Sequence, residues 1–168
     1  MSSGTKISPL ISRGVLLDRD GTIIDDVPYN GDPDLVQPVP GAKEALSRLR
    51  VAGLRLAVVS NQSGVGRGLI TVSHVERVNR RVSDLLGPFD GWYYCPHGPD
   101  DACECRKPRP GLLLQAAREL GLEPGETVVI GDKASDMEAA RNAGMTGLKV
   151  NGGRTLADAV NEILAPVR

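Results

Sequence analysis

The stretch Val15-Leu16-Leu17-Asp18-Arg19-Asp20-Gly21-Thr22 changes character at one residue. Three consecutive apolar side chains suit a strand buried on both faces, as in a parallel sheet flanked by helices, and the run ends abruptly at a carboxylate. The same event recurs downstream. Residues 54–59 read as a second buried strand that stops at Ser60, and residues 127–130 as another that stops at Gly131-Asp132. Between these runs the apolar spacing becomes helical. Ala45, Leu46 and Leu49 mark a helix over 42–52 closed by Gly53, and Leu112, Leu113, Ala116, Ala117 and Leu120 mark another closed by Gly121. A helix beginning at Thr71 or Ser73 and ending near Leu86 is expected, with Ser73 and Glu76 at capping-box spacing. Short strands at 92–94 and 148–150, a helix at 137–142 before Gly144 and a last helix at 156–164 complete the alternation. Strand and helix in turn predict an α/β fold, a doubly wound, mainly parallel Rossmann-like sheet with right-handed crossovers. Ligands in such sheets bind beyond the carboxyl ends of the strands, which here means Asp18, Ser60 and Asp132.

A chain of 168 residues fits one domain, expected over 14–168 after a polar, unpatterned tail at 1–13. The composition, 40% hydrophobic and 24% charged, is that of a globular protein that needs no disulfide staples. Twenty basic against 21 acidic side chains leave a net charge of -1, so no positive field gathers nucleic acid, and 3% aromatic residues leave little for base stacking. No stretch is long and apolar enough to span a membrane, and residues 1–13 lack the pattern of a signal peptide, so a cytoplasmic protein is expected. No interface patch is readable, and a monomer is expected.

Side chains two apart on an extended segment share a side, so Asp18 and Asp20 can share one small site. Like charges so close are stable only with a cation between them or a proton on one, and either outcome serves an enzyme; a plain turn with two solvated carboxylates is the alternative. Ser60-Asn61-Gln62-Ser63 could hold phosphate oxygens in a nest of backbone N–H groups, or be an ordinary turn. The glycines at 64, 66 and 68 do not make a P-loop, because the G-x-x-x-x-G-K-[ST] pattern is absent. Asp132 facing Asp18 would complete an oxygen-rich site suited to Mg²⁺, with Asp136 either supporting it or answering a helix dipole.

Three cysteines lie within 95–105. Cys95-Pro96-His97, then five residues, then Cys103-Glu104-Cys105 present two pairs of soft ligands that could close a tetrahedral Cys₃His site. With no position left open, such a zinc would be structural; redox thiols or chance clustering are the alternatives. Arg106 and Lys107 follow the last ligand and could be aimed at a phosphate, or form a solvated basic turn with Arg109. His74, among Glu76, Arg77 and Arg80, is expected at the surface, and Trp92, Tyr93 and Tyr94 in packing.

Taken in order, D-x-D-G-T, Ser60-Asn61, Lys107 before a helix and G-D-x-x-x-D resemble the four motifs of the haloacid dehalogenase-like phosphatases, over about residues 15–150. The cysteine loop, Cys-Arg-Lys-Pro, Ser-Asn-Gln-Ser-Gly and Gly-Asp-Lys are similar to the branch that contains heptose bisphosphate 7-phosphatases and the histidinol-phosphatase domains of histidine biosynthesis. The resemblance implies that Asp18 is the nucleophile and Asp20 the general acid and base. Asp18, the Asp20 carbonyl and Asp132 would hold Mg²⁺, and Cys95, His97, Cys103 and Cys105 would hold structural Zn²⁺. Ser60 and Lys107 would bind the transferring phosphoryl group, Asp26, Val27, Pro28, Tyr29, Arg106 and Lys133 would touch the rest of the substrate, and Asn61, Gln62 and Ser63 are counted with the substrate-binding residues. The substrate implied is a small phosphorylated sugar, heptose 1,7-bisphosphate, losing its C7 phosphate in nucleotide-activated heptose biosynthesis. Histidinol phosphate or another small phosphomonoester is the rival, and a phosphate-ester-binding module without turnover stands further off. Residues 27–31, Val-Pro-Tyr-Asn-Gly, replace the Gly-Tyr-Val-like segment of that branch. Neither interval after the first two motifs has room for a large cap domain, so the site should be open.

Overall fold

β1 (Gly14–Leu17) is the middle strand of a five-stranded parallel sheet ordered β3-β2-β1-β4-β5, where β2 is Arg55–Asn61, β3 Gly91–Cys95, β4 Thr127–Gly131 and β5 Thr146–Lys149. The structure, a computed structural model, describes residues 12–166. The expected tail lies outside the described residues as far as residue 11. Arg13 is already held to the sheet, donating its N–H to Glu126 O at 2.8 Å and accepting from Arg55 N–H at 3.0 Å. The register sets Leu17 opposite Val58 and Ile130, which brings the three central strand ends to one level. In that register Asp18 lies level with Val59 and Gly131, and Ser60 and Asp132 follow one residue further along their strands, at the same edge of the sheet.

The helices are α1 (Ala42–Val51), α2 (Val72–Leu86), α3 (Gly111–Leu120), α4 (Ala134–Asn142) and α5 (Leu156–Leu164), with 3₁₀ turns at Pro33–Leu35 and Pro124–Glu126. Strand side chains alternate between two cores. Val15, Leu17, Leu56, Val58, Val128 and Ile130 pack with residues of α1, α2 and α5. Leu16, Ala57, Val59 and Val129 face the other way, onto α3 and α4. This two-sided burial is why the strands read as unbroken apolar runs. Only a 3₁₀ turn interrupts residues 25–41, so no cap domain is inserted there.

Two expectations are corrected. The cap of α2 is Thr71, whose Oγ1 accepts from His74 N–H at 3.1 Å while His74 Nδ1 accepts from Thr71 N–H at 3.1 Å; the box is thus Thr71 with His74 rather than Ser73 with Glu76. The last strand is Thr146–Lys149, two residues earlier than its apolar run suggests, because as an edge strand it buries only Leu148.

Leu46 on α1 is fully buried whereas Val51 is 86% exposed. Leu46→Ala is therefore expected to lower unfolding stability by about 2–5 kcal/mol, and Val51→Ala to change it by no more than about 0.5 kcal/mol, as read from urea denaturation.

Candidate active site

Asp18 leaves β1 with its N–H bonded to Ile130 O at 2.9 Å, which fixes the carboxylate at the sheet's upper edge. Its Oδ1 accepts from Lys107 Nζ at 3.0 Å. The same ammonium reaches Asp136 Oδ1 at 2.6 Å and Val59 O at 2.9 Å, so all three of its donor directions are used. Burial alone would pull the Lys107 ammonium down, but Asp18 and Asp136 outweigh it and hold the pKa above that of an ordinary lysine. For Asp18 burial wins. It pushes the carboxyl up to about 7, against the opposing pull of Lys107.

Carboxylate oxygens of Asp18, Asp132 and Asp136 lie within 4.8 Å of one another. Asp136 is committed to Lys107 and to the Lys133 N–H at 3.1 Å, whereas Asp132 accepts only a long bond from Thr22 Oγ1 at 3.4 Å. Hard oxygens so spaced, one of them nearly free, suit a divalent cation such as Mg²⁺. Gly21 makes the approach possible. It adopts φ +79°, and a Cβ there would stand 2.3 Å from Asp132 Oδ2.

Asp20 faces a cavity of about 230 Å³ that is also lined by Arg19, Asp26, Val27, Pro28, Tyr29, Asn61, Gln62, Ser63 and Lys133. A deeper recess of about 40 Å³ adjoins Asp18, Asp20, Asn61, Lys107, Lys133, Ser135 and Asp136. The candidate residues thus gather in one place, with three exceptions, the first being Asp132, which lines neither space although it lies close to Asp18. The Ser60 side chain lines neither space; it is buried, and its hydroxyl accepts from Gln62 Nε2 at 3.3 Å. Arg106 lines neither, yet its buried Nη1 has no partner among the described residues, an unanswered cationic donor beside Lys107. A larger cavity of about 340 Å³ on the far side of Gly21 and Thr22 contains none of the candidate residues.

Residues 25–31 are held from two sides. Tyr29, with φ 51°, lies so near Gly64 that a Cβ on the glycine would sit 2.8 Å from the ring, and a Cβ on Gly31 would sit 2.9 Å from His74 Cγ. His74 is consequently half-buried beneath this loop rather than a free surface residue.

Cys95 is the last residue of β3 and pairs in register with Asn61, the last of β2. Cys95 Sγ lies 3.3 Å from His97 Nδ1 and 3.8 Å from Cys103 Sγ, and His97 Nδ1 lies 3.3 Å from Cys105 Sγ. A tetrahedral ion with 2.3 Å bonds to sulfur separates its thiolates by about 3.8 Å, so these four ligands fit one zinc. Burial raises the Cys95 thiol to about 12 and also raises Cys105. Burial acts against Cys103 too, but hydrogen bonds from the Arg106 backbone and from Cys105 bring it down to about 7. The loop is fastened to β2: Gln62 N–H donates to Cys95 O at 2.7 Å and Gly66 N–H to Pro96 O at 2.8 Å. Asn61 then grips Lys107 by both backbone groups, donating Nδ2 to its carbonyl at 3.2 Å and accepting its N–H on Oδ1 at 3.1 Å.

Two participants went unrecognised in the sequence. Arg19 is buried between the two aspartates, and Asn79 meets it from α2 at 2.7 Å. The one available signal was a polar residue on the inner face set by Val75, Val78 and Val82.

A family model described as haloacid dehalogenase-like hydrolase matches residues 27–144. The chain is 42% identical over 137 residues to a D-glycero-beta-D-manno-heptose-1,7-bisphosphate 7-phosphatase of Pseudomonas aeruginosa, covering 78% of this chain and 77% of the relative. A protein of the same name from Yersinia pestis is 40% identical over 147 residues, covering 81% and 78%. Among solved structures, the D,D-heptose 1,7-bisphosphate phosphatase of Bordetella bronchiseptica, complexed with magnesium and phosphate, superposes with a TM-score of 0.81 at 29% identity, over 90% of this chain and 98% of that one. With a family model spanning more than half of its length and relatives this similar over three quarters of it, the chain belongs to the haloacid dehalogenase-like hydrolase family.

Proposed function

We propose that residues 14–168 form a Mg²⁺-dependent phosphatase that removes the C7 phosphate of D-glycero-D-manno-heptose 1,7-bisphosphate, the β anomer for which its relatives are named. The observation that carries the chemistry is the convergence of Asp18, Asp132 and Asp136 on one point beside the Lys107 ammonium. The names of the relatives carry the substrate, and they favour heptose bisphosphate over histidinol phosphate.

Phosphoryl transfer demands in-line positioning and neutral surroundings for the equatorial oxygens more than elaborate covalent chemistry. In this reading Asp18 attacks phosphorus while Asp20 gives its proton to the departing sugar oxygen, leaving an aspartyl-phosphate. Asp20 then takes a proton from water, whose oxygen attacks phosphorus, releasing phosphate and restoring the Asp18 carboxylate. Lys107 holds positive charge against the reacting group, and the Ser63 N–H is assigned as a further donor, that of Gln62 being committed to Cys95 O. Asp18, Asp132 and the Asp20 carbonyl would hold Mg²⁺, which when bound neutralises charge on the phosphoryl oxygens. Asp26 to Tyr29, Lys133 and the unpaired Arg106 are assigned to the rest of the substrate. Cys95, His97, Cys103 and Cys105 are assigned a closed, structural Zn²⁺ site. A reducing compartment, the cytoplasm, keeps those thiols available, and one chain supplies every residue named, so we read the enzyme as a monomer.

Asp18→Asn is expected to retain the fold by circular dichroism and to lose phosphate release to the level of the uncatalysed control. Wild-type turnover in that variant would remove the nucleophile from Asp18. On a panel of both heptose bisphosphate anomers and histidinol phosphate, the β anomer should show the highest kcat/KM.

Asp18 also predicts a pH dependence. Its carboxyl is raised from 3.8 to about 7 in the fold, so between those values the native state binds the extra proton and metal-free stability falls as pH rises. Metal must displace that proton. The Tm gain on adding Mg²⁺ is therefore expected to be larger at pH 8 than at pH 6, and to lose this pH dependence in Asp18→Asn, as read by thermal shift.

Elemental analysis of protein purified without added metal should find about one zinc per chain, and stripping it should lower Tm. A metal-free preparation with undiminished Tm would contradict the zinc assignment.

A further inference from the structure

Among the described residues Arg19 is the largest fully buried side chain, and it carries a charge. Its guanidinium forms a two-pronged pair with the carboxylate of the next residue, Nε to Asp20 Oδ1 at 3.2 Å and Nη2 to Asp20 Oδ2 at 3.1 Å, while Nη1 donates to Asn79 Oδ1 at 2.7 Å. The Arg19 side chain, at 2% exposure, and Asp20, at 23%, both border the 230 Å³ cavity, and Asp20 is the one that opens to it. Gln62 Nε2 adds a third bond to Asp20 Oδ2 at 3.0 Å.

A carboxyl turns easily about its own side-chain bonds, and one hydrogen bond leaves its plane undefined. A planar fork defines it, provided the fork itself is fixed. Asn79 supplies that fixation from α2, sixty residues away in sequence. The same helix presents His74 to the loop carrying Asp26–Tyr29, so the proton donor and the substrate loop take their positions from one rigid element.

We propose that Arg19 and Asn79 are positioning residues that aim the Asp20 carboxyl at the leaving oxygen. This rests on the general-acid reading of Asp20 given above. An alkyl alcohol leaves poorly without a proton; p-nitrophenolate leaves without one. Because kcat/KM covers only the steps through the first irreversible transfer, it isolates leaving-group protonation from the later hydrolysis of the acyl phosphate.

The experiment compares kcat/KM for heptose bisphosphate and p-nitrophenyl phosphate in Arg19→Lys, Asn79→Leu, Asn79→Asp and Asp20→Asn. Asp20→Asn should lose about 100-fold or more on the sugar phosphate and less than about threefold on the nitrophenyl ester. Arg19→Lys keeps the charge without the fork and should show the same selectivity, with a sugar-phosphate loss of about 30-fold or more. Asn79→Leu should lose about tenfold on the sugar phosphate alone, and Asn79→Asp, which keeps an acceptor for the guanidinium, should retain the wild-type ratio. If Arg19→Lys fails to fold, the Asn79 pair decides. Equal losses on both esters, or a wild-type ratio in Arg19→Lys and Asn79→Leu while Asp20→Asn is selective, overturn the positioning role alone. Absence of selectivity in Asp20→Asn overturns the general-acid reading itself, and the positioning role with it.

Discussion

A buried ammonium held between two carboxylates organises this site. Lys107 Nζ sits 3.0 Å from Asp18 and 2.6 Å from Asp136, with the Val59 carbonyl as its third acceptor. Each contact comes from a different part of the chain: the end of β1, the first turn of α4 and the upper part of β2. Isolated in such a place, any one of these charges would carry a desolvation penalty of several kcal/mol, so each is stable only while the others are present. The strand register that levels β1, β2 and β4 is therefore a precondition of the charge pattern, because a shift of one residue would turn these side chains to the other face of the sheet.

Lys107 itself comes from a segment with almost no core, residues 96–110, in which helix and strand are both absent. A flexible loop would not deliver one ammonium to one point. The loop is anchored at its start by Cys95 in the sheet, drawn together by the Cys95, His97, Cys103 and Cys105 cluster, and fixed at its end by the two bonds between Asn61 and the Lys107 backbone. Chain topology explains why the cluster lies where it does. β3 is the neighbour of β2, so a loop leaving β3 passes over the Ser60-Asn61 end and comes within reach of Asp18.

Much of this was legible in the sequence, for identifiable reasons. Uninterrupted apolar runs such as Val15-Leu16-Leu17 and Val128-Val129-Ile130 announce strands covered on both faces, and the polar residue ending each run marks the site. The cysteine loop was legible because soft ligands so closely spaced have few other uses. What was not legible depends on contacts between distant segments. Ser73 and Glu76 have the spacing of a capping box, yet Thr71 and His74 form it, since the loop at Gly31 presses on the His74 ring and settles the start of the helix. Arg19 was hidden for the same reason. Beside two aspartates in sequence it reads as a neutralising surface charge, and only the packing of α2 against the turn buries it.

The arrangement also answers how two aspartates two residues apart can share a site. A single cation between them, or a proton on one, would relieve their repulsion. Each also has its own buried cation, Lys107 for Asp18 and Arg19 for Asp20, although burial still raises the Asp18 carboxyl to about 7. Lys133 also borders both cavities of the site, so the carboxylates of Asp18, Asp20, Asp132 and Asp136 stand near three cationic side chains, Lys107, Arg19 and Lys133. Lys107 and Arg19 are already committed to carboxylates, so the cationic donors less committed are Lys133 at the cavity wall and the buried Nη1 of Arg106, which has no partner among the described residues. On the function proposed above, those donors are where one phosphate ester would be told from another, whereas the carboxylates with Lys107 would serve any phosphoryl group.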